Sequence, residues 1–457
     1  MIIGLIIFSV LFLALALWRL DWALLVLIAA LPAYLIRFTI FNLPLTLLEV
    51  MILISFAVWF FKNFLPGLKK LPPYPFSWEI ILALIISFAA AGINNFSLAA
   101  LGLWKAYFFE PVLLFILLLN TFKNKKDWRK IFSAFLVSAA GIALFAIYQR
   151  ITGQFLPPAW AHSDPFRVTS FFSYPNAVGL YLAPLTMIFS GWLFYEIKEK
   201  TAQNLGRIIL IISGIVVSFL AIWFAHSEGA MVGIMAGLVI FGILANKRLR
   251  IITLIIIALA VAATFSYPPL KSLILEKATL SDLSGKIKQQ QWQETMKMLS
   301  GQKFFTGAGL DGYQAAVAPY HQAGIFFNRD HLANFDSLAY GSAALRAKYW
   351  QPVEIYLYPH NIFLNFWSEL GLAGMLLFVW IMLKYLSTAL ILNINYNRER
   401  RSEKYLVLGL MAAMVAIIVH GLVDVPYFKN DLAAMFWALI ALLSILNLNC
   451  RNERELK

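Results

Sequence analysis

The sequence predicts an all-α polytopic membrane protein with about 12 transmembrane helices and one large loop domain on the outer face. Hydrophobic residues make up 61% of the 457 residues and charged residues 13%, a composition outside the range of soluble globular domains. Apolar segments long enough to cross roughly 30 Å of hydrocarbon recur along the chain. Basic clusters also alternate with pairs of these segments, as expected for a multi-pass topology.

The apolar segments give about 11 to 13 candidate helices. They span residues 2–18, 22–36, 43–62, 78–94, 101–120, 131–149, 176–196, 208–225, 230–245, 251–267, 360–387, 404–423 and 431–448. The first two flank Arg19 and Asp21, so they form either a hairpin or one irregular element. The N-terminal "MIIGLIIFSV" lacks a basic region and a small-residue cleavage site, so we expect no cleaved signal peptide.

The basic clusters predict the topology. They lie at Lys62/Lys69/Lys70, 123–130, Lys198 to Arg207, 246–250, 397–404 and the tail "CRNERELK". Consecutive clusters enclose two candidate helices each, so all can lie in the cytoplasm together. The net charge of +14 is thus explained by membrane topology, and no nucleic-acid partner is expected. The segments at about 95–100, 150–175, 226–229, 268–359 and 424–430 then lie outside. Three candidate helices precede Lys62, which leaves the side of the N-terminus open.

The chain divides into four parts. Residues 1–267 hold about 9 to 10 transmembrane helices and the short outer loop 150–175. Residues 268–359 form the large, partly helical loop on the periplasmic or extracellular side of the cytoplasmic membrane. Residues 360–450 hold about three further helices, and 451–457 form a cytoplasmic tail.

Within the large loop, the apolar periodicity predicts an amphipathic helix over 286–299, followed by the glycine-rich turn segment "GQKFFTGAGLDGY". A single cysteine, Cys450, excludes an intrachain disulfide framework.

No DxD, HExxH, CxxC or Walker motif is present, so we expect neither a metal site nor a cofactor. The ionisable groups on the outer side are mainly histidines, arginines and lysines. Cationic side chains can neutralise a diphosphate without a metal ion, so this set favours a phosphate-bearing substrate.

His360 is the candidate general base, because a neutral imidazole at a helix start near the membrane surface can accept a proton at neutral pH. The alternative is a structural histidine that caps its own helix. Glu369 is a carboxylate inside a predicted span, where ionisable groups are costly and usually functional. A structural pairing with Lys105 or with another helix is the competing interpretation.

Other polar residues have weaker patterns. Arg167 is either a phosphate ligand or a solvated loop residue, and the same choice holds for Lys286 and Lys288. His420 and Asp424 lie four residues apart and would share one helix face. The remaining histidines, which have no partner pattern, are His162, His226, His321 and His331. A zinc site formed by His321 and His331 is a weakly supported hypothesis.

Several stretches together resemble the O-antigen ligase and polymerase superfamily of membrane glycosyltransferases, over roughly residues 40–450. "YPHNIFLNFWSELGLAGMLLFVW" is similar to its HNxxLxxxxExGxxG signature, and "RVTSFFSYPNAVGLYLAPL" to its R-x-x-G-x-F-x-x-PN-x-x-G block. "SGKIKQQQWQETMKMLSGQKFFTGAGLDGY" resembles its block that begins SGR. "LTLLEVMILISFAVWF", "LGLWKAYFFEPVLLF" and "HGLVDVPYF" fit its remaining helices.

The resemblance implies transfer of a glycan from an undecaprenyl-diphosphate-type lipid donor to an acceptor hydroxyl. By position it implies His360 as the base and Arg167 as a diphosphate ligand, joined by Lys286 or Lys288 in place of a loop arginine. It also implies supporting or acceptor-binding roles, which fall to Asn361, Asn176, Glu369, His420 and Asp424.

The chain departs from the family pattern at three places. Ser170 replaces a glycine, a lysine replaces the loop arginine, and Glu228 in "FAHSEGAMVGI" occupies an arginine position. Lysine keeps the charge but loses bidentate geometry, whereas Glu228 reverses the charge. Another cation, such as Arg346 or Lys348, then serves the diphosphate, or the donor differs.

The function predicted from the sequence is a metal-independent, inverting, O-antigen ligase-like glycosyltransferase. Its partners would be a lipid-linked glycan donor, a glycan, lipid or protein acceptor, and the bilayer. The first alternative is a polysaccharide polymerase of the same superfamily. A non-enzymatic transporter of lipid-linked glycans is less well supported, because no inverted repeat is visible and the polar residues concentrate in one loop.

Overall fold

A computed structural model of the protein describes residues 2–40, 43–65, 74–123, 127–161, 166–199, 204–399 and 401–455. Within these residues, nine helices are long and apolar enough to cross a membrane, and four shorter apolar helices accompany them. The predicted all-α polytopic membrane fold is therefore confirmed. His162 and the basic residues Lys69 and Lys70 lie outside the described residues.

The elements follow the candidate segments closely. The N-terminal part contains α1 (Ile2–Trp18), α2 (Leu20–Ala29), β1 (Arg37–Ile40), β2 (Leu43–Thr46), α3 (Leu47–Trp59), α4 (Ser77–Ile93), α5 (Leu98–Trp104), α6 (Glu110–Thr121), α7 (Asp127–Thr152), α8 (Pro158–Ala161), α9 (Asn176–Glu199), α10 (Asn204–Phe224), α11 (Glu228–Ala245) and α12 (Lys247–Ser266). One π-helical turn, Phe60–Phe64, extends α3, and another, Lys105–Phe109, joins α5 and α6 into one span.

The segment 268–359 contains short helices and one strand pair. They are α13 (Pro268–Ala278), α14 (Leu283–Leu299), α15 (Lys303–Thr306), α16 (Tyr313–Val317), β3 (Gly324–Phe326), α17 (Phe335–Gly341), α18 (Ala343–Tyr349) and β4 (Trp350–Pro352). The predicted helix over 286–299 begins earlier, at Leu283, because the Asp282 side chain caps it by accepting the N–H of Gly285. The chain then continues through α19 (Ile362–Arg398), α20 (Lys404–His420) and α21 (Asn430–Glu455).

The segment between α2 and α3 differs from the prediction. The candidate helix at 43–62 begins only at Leu47, because residues 43–46 pair with 37–40 as an antiparallel hairpin. Thr46 and Glu49 form a capping box in which each side chain accepts a backbone N–H of the other residue. The candidate helix at 22–36 ends at Ala29 and continues as a 3-10 turn, Leu31–Leu35.

The helices α9, α20 and α21 form the centre of the bundle, and nearly all their apolar side chains are buried. No residue of α12 is buried, so this helix lies at the periphery. Close approach in the centre depends on glycine. A Cβ atom added to Gly191 in α9 would lie 2.6 Å from the Cα atom of Gly409 in α20 and 2.6 Å from the carbonyl oxygen of Tyr405. Small residues at such contacts are what allow membrane helices to pack backbone to backbone.

Helix α19 is broken near its first turns. Gly371 has φ +74°, and a Cβ atom there would lie 2.1 Å from the carbonyl oxygen of Phe305. The N–H of Ala308 donates to the carbonyl oxygen of Ser368 across 2.6 Å at the same place. The break therefore lets the glycine-rich turn of the 268–359 segment insert against α19. Only glycine fits both the positive φ and the close contact.

We expect Gly191→Val to lower the thermal stability of the protein in detergent, because the added atoms overlap backbone atoms of α20. Overpacking of this kind costs about 1–3 kcal/mol. The matched control is Gly141→Val in α7, since a Cβ atom at Gly141 meets nothing within 4 Å. Thermal unfolding followed by size-exclusion chromatography measures both, and equal melting temperatures for the two variants would contradict the close α9–α20 contact.

Candidate active site

The start of α19 is fixed against the turn that follows α20. Asn361 caps α19, because its side-chain oxygen accepts the N–H groups of Phe363 and Leu364, each at 3.0 Å. Its amide donates to the carbonyl oxygen of Leu422, and the N–H of Ile362 donates to that of Gly421 at 2.7 Å. The capping role that was an alternative for His360 thus belongs to Asn361.

His360, immediately before the cap, has φ +46°, a left-handed conformation that is uncommon for a side chain other than glycine, asparagine or aspartate. This conformation brings its Nδ1 atom to 3.7 Å from Oδ1 of Asp424. That distance is too long for a hydrogen bond, but it is short enough for strong electrostatic attraction whenever the imidazole is protonated. The rings of Tyr356 and Tyr358 pack edge-on against the imidazole, with centroids 5.4 and 4.9 Å away.

Asp424 is 1% exposed and must keep a charge in a buried position. Burial alone would raise its pKa. The neighbouring His360, and the backbone N–H of Val425 that donates to Oδ1 at 2.9 Å, outweigh burial and hold the pKa of Asp424 well below its usual range. The carboxylate is therefore ionised at neutral pH. His420 also acts on Asp424, although α20 ends at His420, so the prediction that both lie on one helix face is wrong.

Asn176 and Arg167 extend the network. The amide of Asn176, at the first residue of α9, donates to Oδ2 of Asp424 at 3.1 Å. Nη2 of Arg167 donates to the side-chain oxygen of Asn176 at 2.8 Å, and Nε donates to the carbonyl oxygen of Ala225 at 3.0 Å. The guanidinium also packs on Trp160 at 5.3 Å. Arg167 thus holds its place through Nε and Nη2, while Nη1 makes no hydrogen bond within the described residues.

The two loop lysines have different surroundings. Lys288 on α14 is half-buried, and burial lowers its pKa although the charge of Asp424 opposes the shift. Lys286 lies two residues away on the helix and so points to another face. It is exposed, donates to Gln289 at 3.2 Å and lines a cavity of about 780 Å³ together with His331. Of the two lysines, the structure brings Lys288 towards Asp424.

Glu228, the residue at the arginine position of the family pattern, has a cationic partner. Nζ of Lys277 at the end of α13 lies 2.8 Å from its carboxylate and 2.9 Å from that of Asp282. The charges of Glu228 and Asp282 also act on Lys288. The sequence analysis did not identify Lys277. The signal that could have led to it was the reversed charge at Glu228, which requires a cationic partner nearby.

Glu369 lies in a different contact. It is buried, and its Oε2 accepts the N–H of Asp311 at 3.2 Å, which ties α19 to the glycine-rich turn. The alternative pairing with Lys105 does not occur, because Lys105 forms an ion pair with Glu49. No hydrogen bond or ion pair joins Glu369 to the His360 network within the described residues.

Lys348 and His321, two of the remaining candidates, have carboxylate partners. Nζ of Lys348 pairs with Asp330 at 2.6 Å, and Nδ1 of His321 lies 3.3 Å from Glu294. Across the described ranges, no three histidine, cysteine, aspartate or glutamate side chains converge into a metal-binding group.

A protein-family model described as O-antigen ligase matches residues 213–379. No curated protein matches the chain. The matched region contains α11, the 268–359 segment and the first half of α19, and so includes Lys288 and His360. The resemblance of the chain to the O-antigen ligase and polymerase superfamily is confirmed by this match.

For Glu369 we expect a structural phenotype. Glu369→Ala removes the acceptor of the Asp311 N–H and should cost about 1–3 kcal/mol. Glu369→Gln is the matched control, because its amide oxygen can still accept that hydrogen bond. Hydrogen–deuterium exchange of residues 307–312 should accelerate in the alanine variant alone. Equal acceleration in both variants would mean that the turn depends on the negative charge of Glu369.

Proposed function

We propose that this chain, similar to O-antigen ligases over residues 213–379, is a membrane glycosyltransferase of the outer face of the cytoplasmic membrane. It would transfer a glycan from an undecaprenyl-diphosphate-type lipid to an acceptor hydroxyl. The observation that carries the proposal is the pairing of His360 with the buried carboxylate of Asp424, beside the cations Arg167 and Lys288. A base and cations for a phosphate leaving group are the two requirements of such a transfer.

His360 would act as the general base. Because Nδ1 faces the Asp424 carboxylate, we assign the proton of the neutral imidazole to Nδ1, which leaves Nε2 free to accept a proton. Asp424 would orient the ring and stabilise the imidazolium that forms. The same division of roles operates between the histidine and aspartate of hydrolytic triads.

The transfer step balances with these groups alone. The acceptor hydroxyl oxygen attacks the anomeric carbon and forms the new glycosidic bond as the bond from that carbon to the phosphate oxygen breaks. The hydroxyl proton passes to Nε2 of His360. The lipid diphosphate leaves with the electron pair of the broken bond, and attack from the opposite side inverts the anomeric carbon.

The leaving group would be stabilised by cationic side chains. Nη1 of Arg167 is oriented by the hydrogen bonds of Nε and Nη2 and is available to a phosphate oxygen. Lys288 would add a second positive charge from α14. Two cations near the reacting phosphate would stabilise the negative charge that develops on it. These two side chains supply positive charge at the leaving group, which supports a metal-independent mechanism.

His360→Ala should abolish transfer in a purified system with an undecaprenyl-diphosphate-linked glycan, a panel of acceptors and EDTA. Loss of a general base typically costs about 10²–10⁴ in rate. His331→Ala is the matched control, because His331 lies in the loop cavity away from the Asp424 network. Full activity of folded His360→Ala would reject the base assignment, and complete loss of wild-type activity on adding EDTA would reject the metal-independent mechanism.

The panel also separates the family's two activities. Transfer to a lipid or protein acceptor indicates a ligase, whereas transfer to a second lipid-linked glycan indicates a polymerase.

Asp424→Asn should lower the turnover number by about 10²–10⁴ because the imidazolium loses its counter-charge. It should also change the dependence of stability on pH. The pKa of Asp424 is lowered in the folded protein, so its stabilising contribution is present above the unfolded value of about 3.9 and is lost at lower pH.

The difference in melting temperature between wild type and Asp424→Asn should therefore be largest and constant above about pH 5, and should shrink progressively as the pH falls below about 4. Asp330→Asn, at an exposed ion pair, is the control for activity. A difference in melting temperature that grows towards acid pH would contradict the assignment.

A further inference from the structure

Lys429 lies in the turn between α20 and α21 and is surrounded by aromatic rings. Its Nζ atom lies 4.4 Å from the ring centroid of Phe172, 5.1 Å from that of Tyr174 and 5.6 Å from that of Tyr34. These rings attract the ammonium group through their faces. They accept no conventional hydrogen bonds, however, so the three N–H donors of Lys429 are left without acceptors from this set.

Lys429 makes no ion pair or side-chain hydrogen bond within the described part of the chain. Burial lowers its pKa, although the charges of Asp431 and Asp424 oppose the shift. A partly buried cation without a hydrogen-bond or ion-pair partner is costly, and in native proteins such a group usually has a ligand or a role.

A second cation, which is exposed to solvent, lies nearby. Arg37, at the start of β1, is close enough that its charge further lowers the pKa of Lys429. Within the described residues Arg37 also makes no ion pair or side-chain hydrogen bond. Two neighbouring cations without a paired carboxylate raise the local positive potential, which favours the binding of an anion.

This pair of cations is connected to the candidate base. The hydroxyl of Tyr358 lies 3.4 Å from that of Tyr174, whose ring contacts Lys429, and the ring of Tyr358 packs against His360. The first residue of α21, Asn430, follows Lys429 directly, so the positive end of that helix dipole adds to the local potential.

We propose that Lys429 and Arg37 bind phosphate oxygens of the lipid diphosphate, in addition to Arg167 and Lys288. The inference rests on the proposed function for the identity of the anion. The contact to His360 through the two tyrosines favours the donor over a bulk phospholipid, whose headgroup has the same phosphate chemistry.

The first test uses the wild-type protein in phosphatidylcholine nanodiscs. Amine acylation of Lys429 is measured by mass spectrometry with and without undecaprenyl diphosphate, and separately in nanodiscs that contain phosphatidylglycerol. Bound lipid diphosphate should protect Lys429. Lys404 should not be protected; it is the matched control, because its Nζ also lies over an aromatic ring, that of Tyr405 at 5.0 Å.

An unchanged acylation rate at Lys429 would overturn the proposal. Equal protection by phosphatidylglycerol would reassign the pair to phospholipid headgroups and would overturn it as well. Because this measurement needs no variant, a failure of substituted proteins to fold does not affect it.

The second test measures binding of undecaprenyl diphosphate to variants, without acceptor or transfer. Lys429→Met and Arg37→Met should each weaken binding about tenfold, whereas Lys429→Arg should stay near wild type. Lys404→Met is again the control. Wild-type affinity of folded Lys429→Met would overturn the proposal.

The measurements of binding and of transfer test the proposed site and the proposed function independently. Lipid diphosphate binding that depends on Lys429, in a protein without transfer activity, would support the site and reject the proposed function. Transfer that depends on His360 but not on Lys429 or Arg37 would support the proposed function and reject the site.

Discussion

The buried carboxylate of Asp424 is the interaction on which the arrangement of the site depends. Its two oxygen atoms contact three parts of the chain: Nδ1 of His360 before α19, the amide of Asn176 at the start of α9, and its own turn through the N–H of Val425. A buried charge is tolerated only when such partners surround it. The ends of α9 and α19 are therefore fixed relative to the turn after α20 by one electrostatic requirement.

The charges around this carboxylate also explain how the chain accommodates Glu228 where the family pattern has an arginine. Lys277 pairs with Glu228 and with Asp282, the residue that caps α14. The substitution is thus balanced by a cation from α13, and the balance couples the N-terminus of α11 to the helix that carries Lys288. We infer that the reversed charge at the start of α11 is compensated from the 268–359 segment. Lys277 and Lys288 both provide point charges without the bidentate geometry of arginine.

The sequence predicted the helices well because each apolar segment is long and continuous. It missed the β1–β2 hairpin, where Thr46 and Glu49 set the start of α3 by a local capping box, and the break at Gly371, which is set by contact with Phe305. Both features depend on close contacts that hydropathy does not report. Helix ends were correspondingly less well predicted than helix positions.

For the site, sequence motifs identified residues that the fold brings together, namely His360, Asn176, Arg167, Asp424 and Lys288. The motifs could not separate Lys288 from Lys286, because that choice depends on which face of α14 meets the bundle. They also did not show that Asn361 and Glu369 make structural contacts, with the turn after α20 and with the glycine-rich turn. Lys429, Arg37 and Lys277 could not be found from spacing, because their surroundings come from segments far apart in the sequence.

The 3.7 Å separation between His360 and Asp424 bears on how the proposed reaction would be accelerated. With a neutral imidazole, Nδ1 is buried and makes no hydrogen bond, so the ground state gains little from the carboxylate. Once Nε2 accepts the acceptor's proton, the ring becomes a cation facing an anion in a site of low dielectric, and the attraction increases steeply. Asn176 holds the carboxylate in place meanwhile, so little reorganisation is required. The network would therefore stabilise the charged transition state more than the substrate complex, which is the condition for raising the turnover number and not merely the affinity.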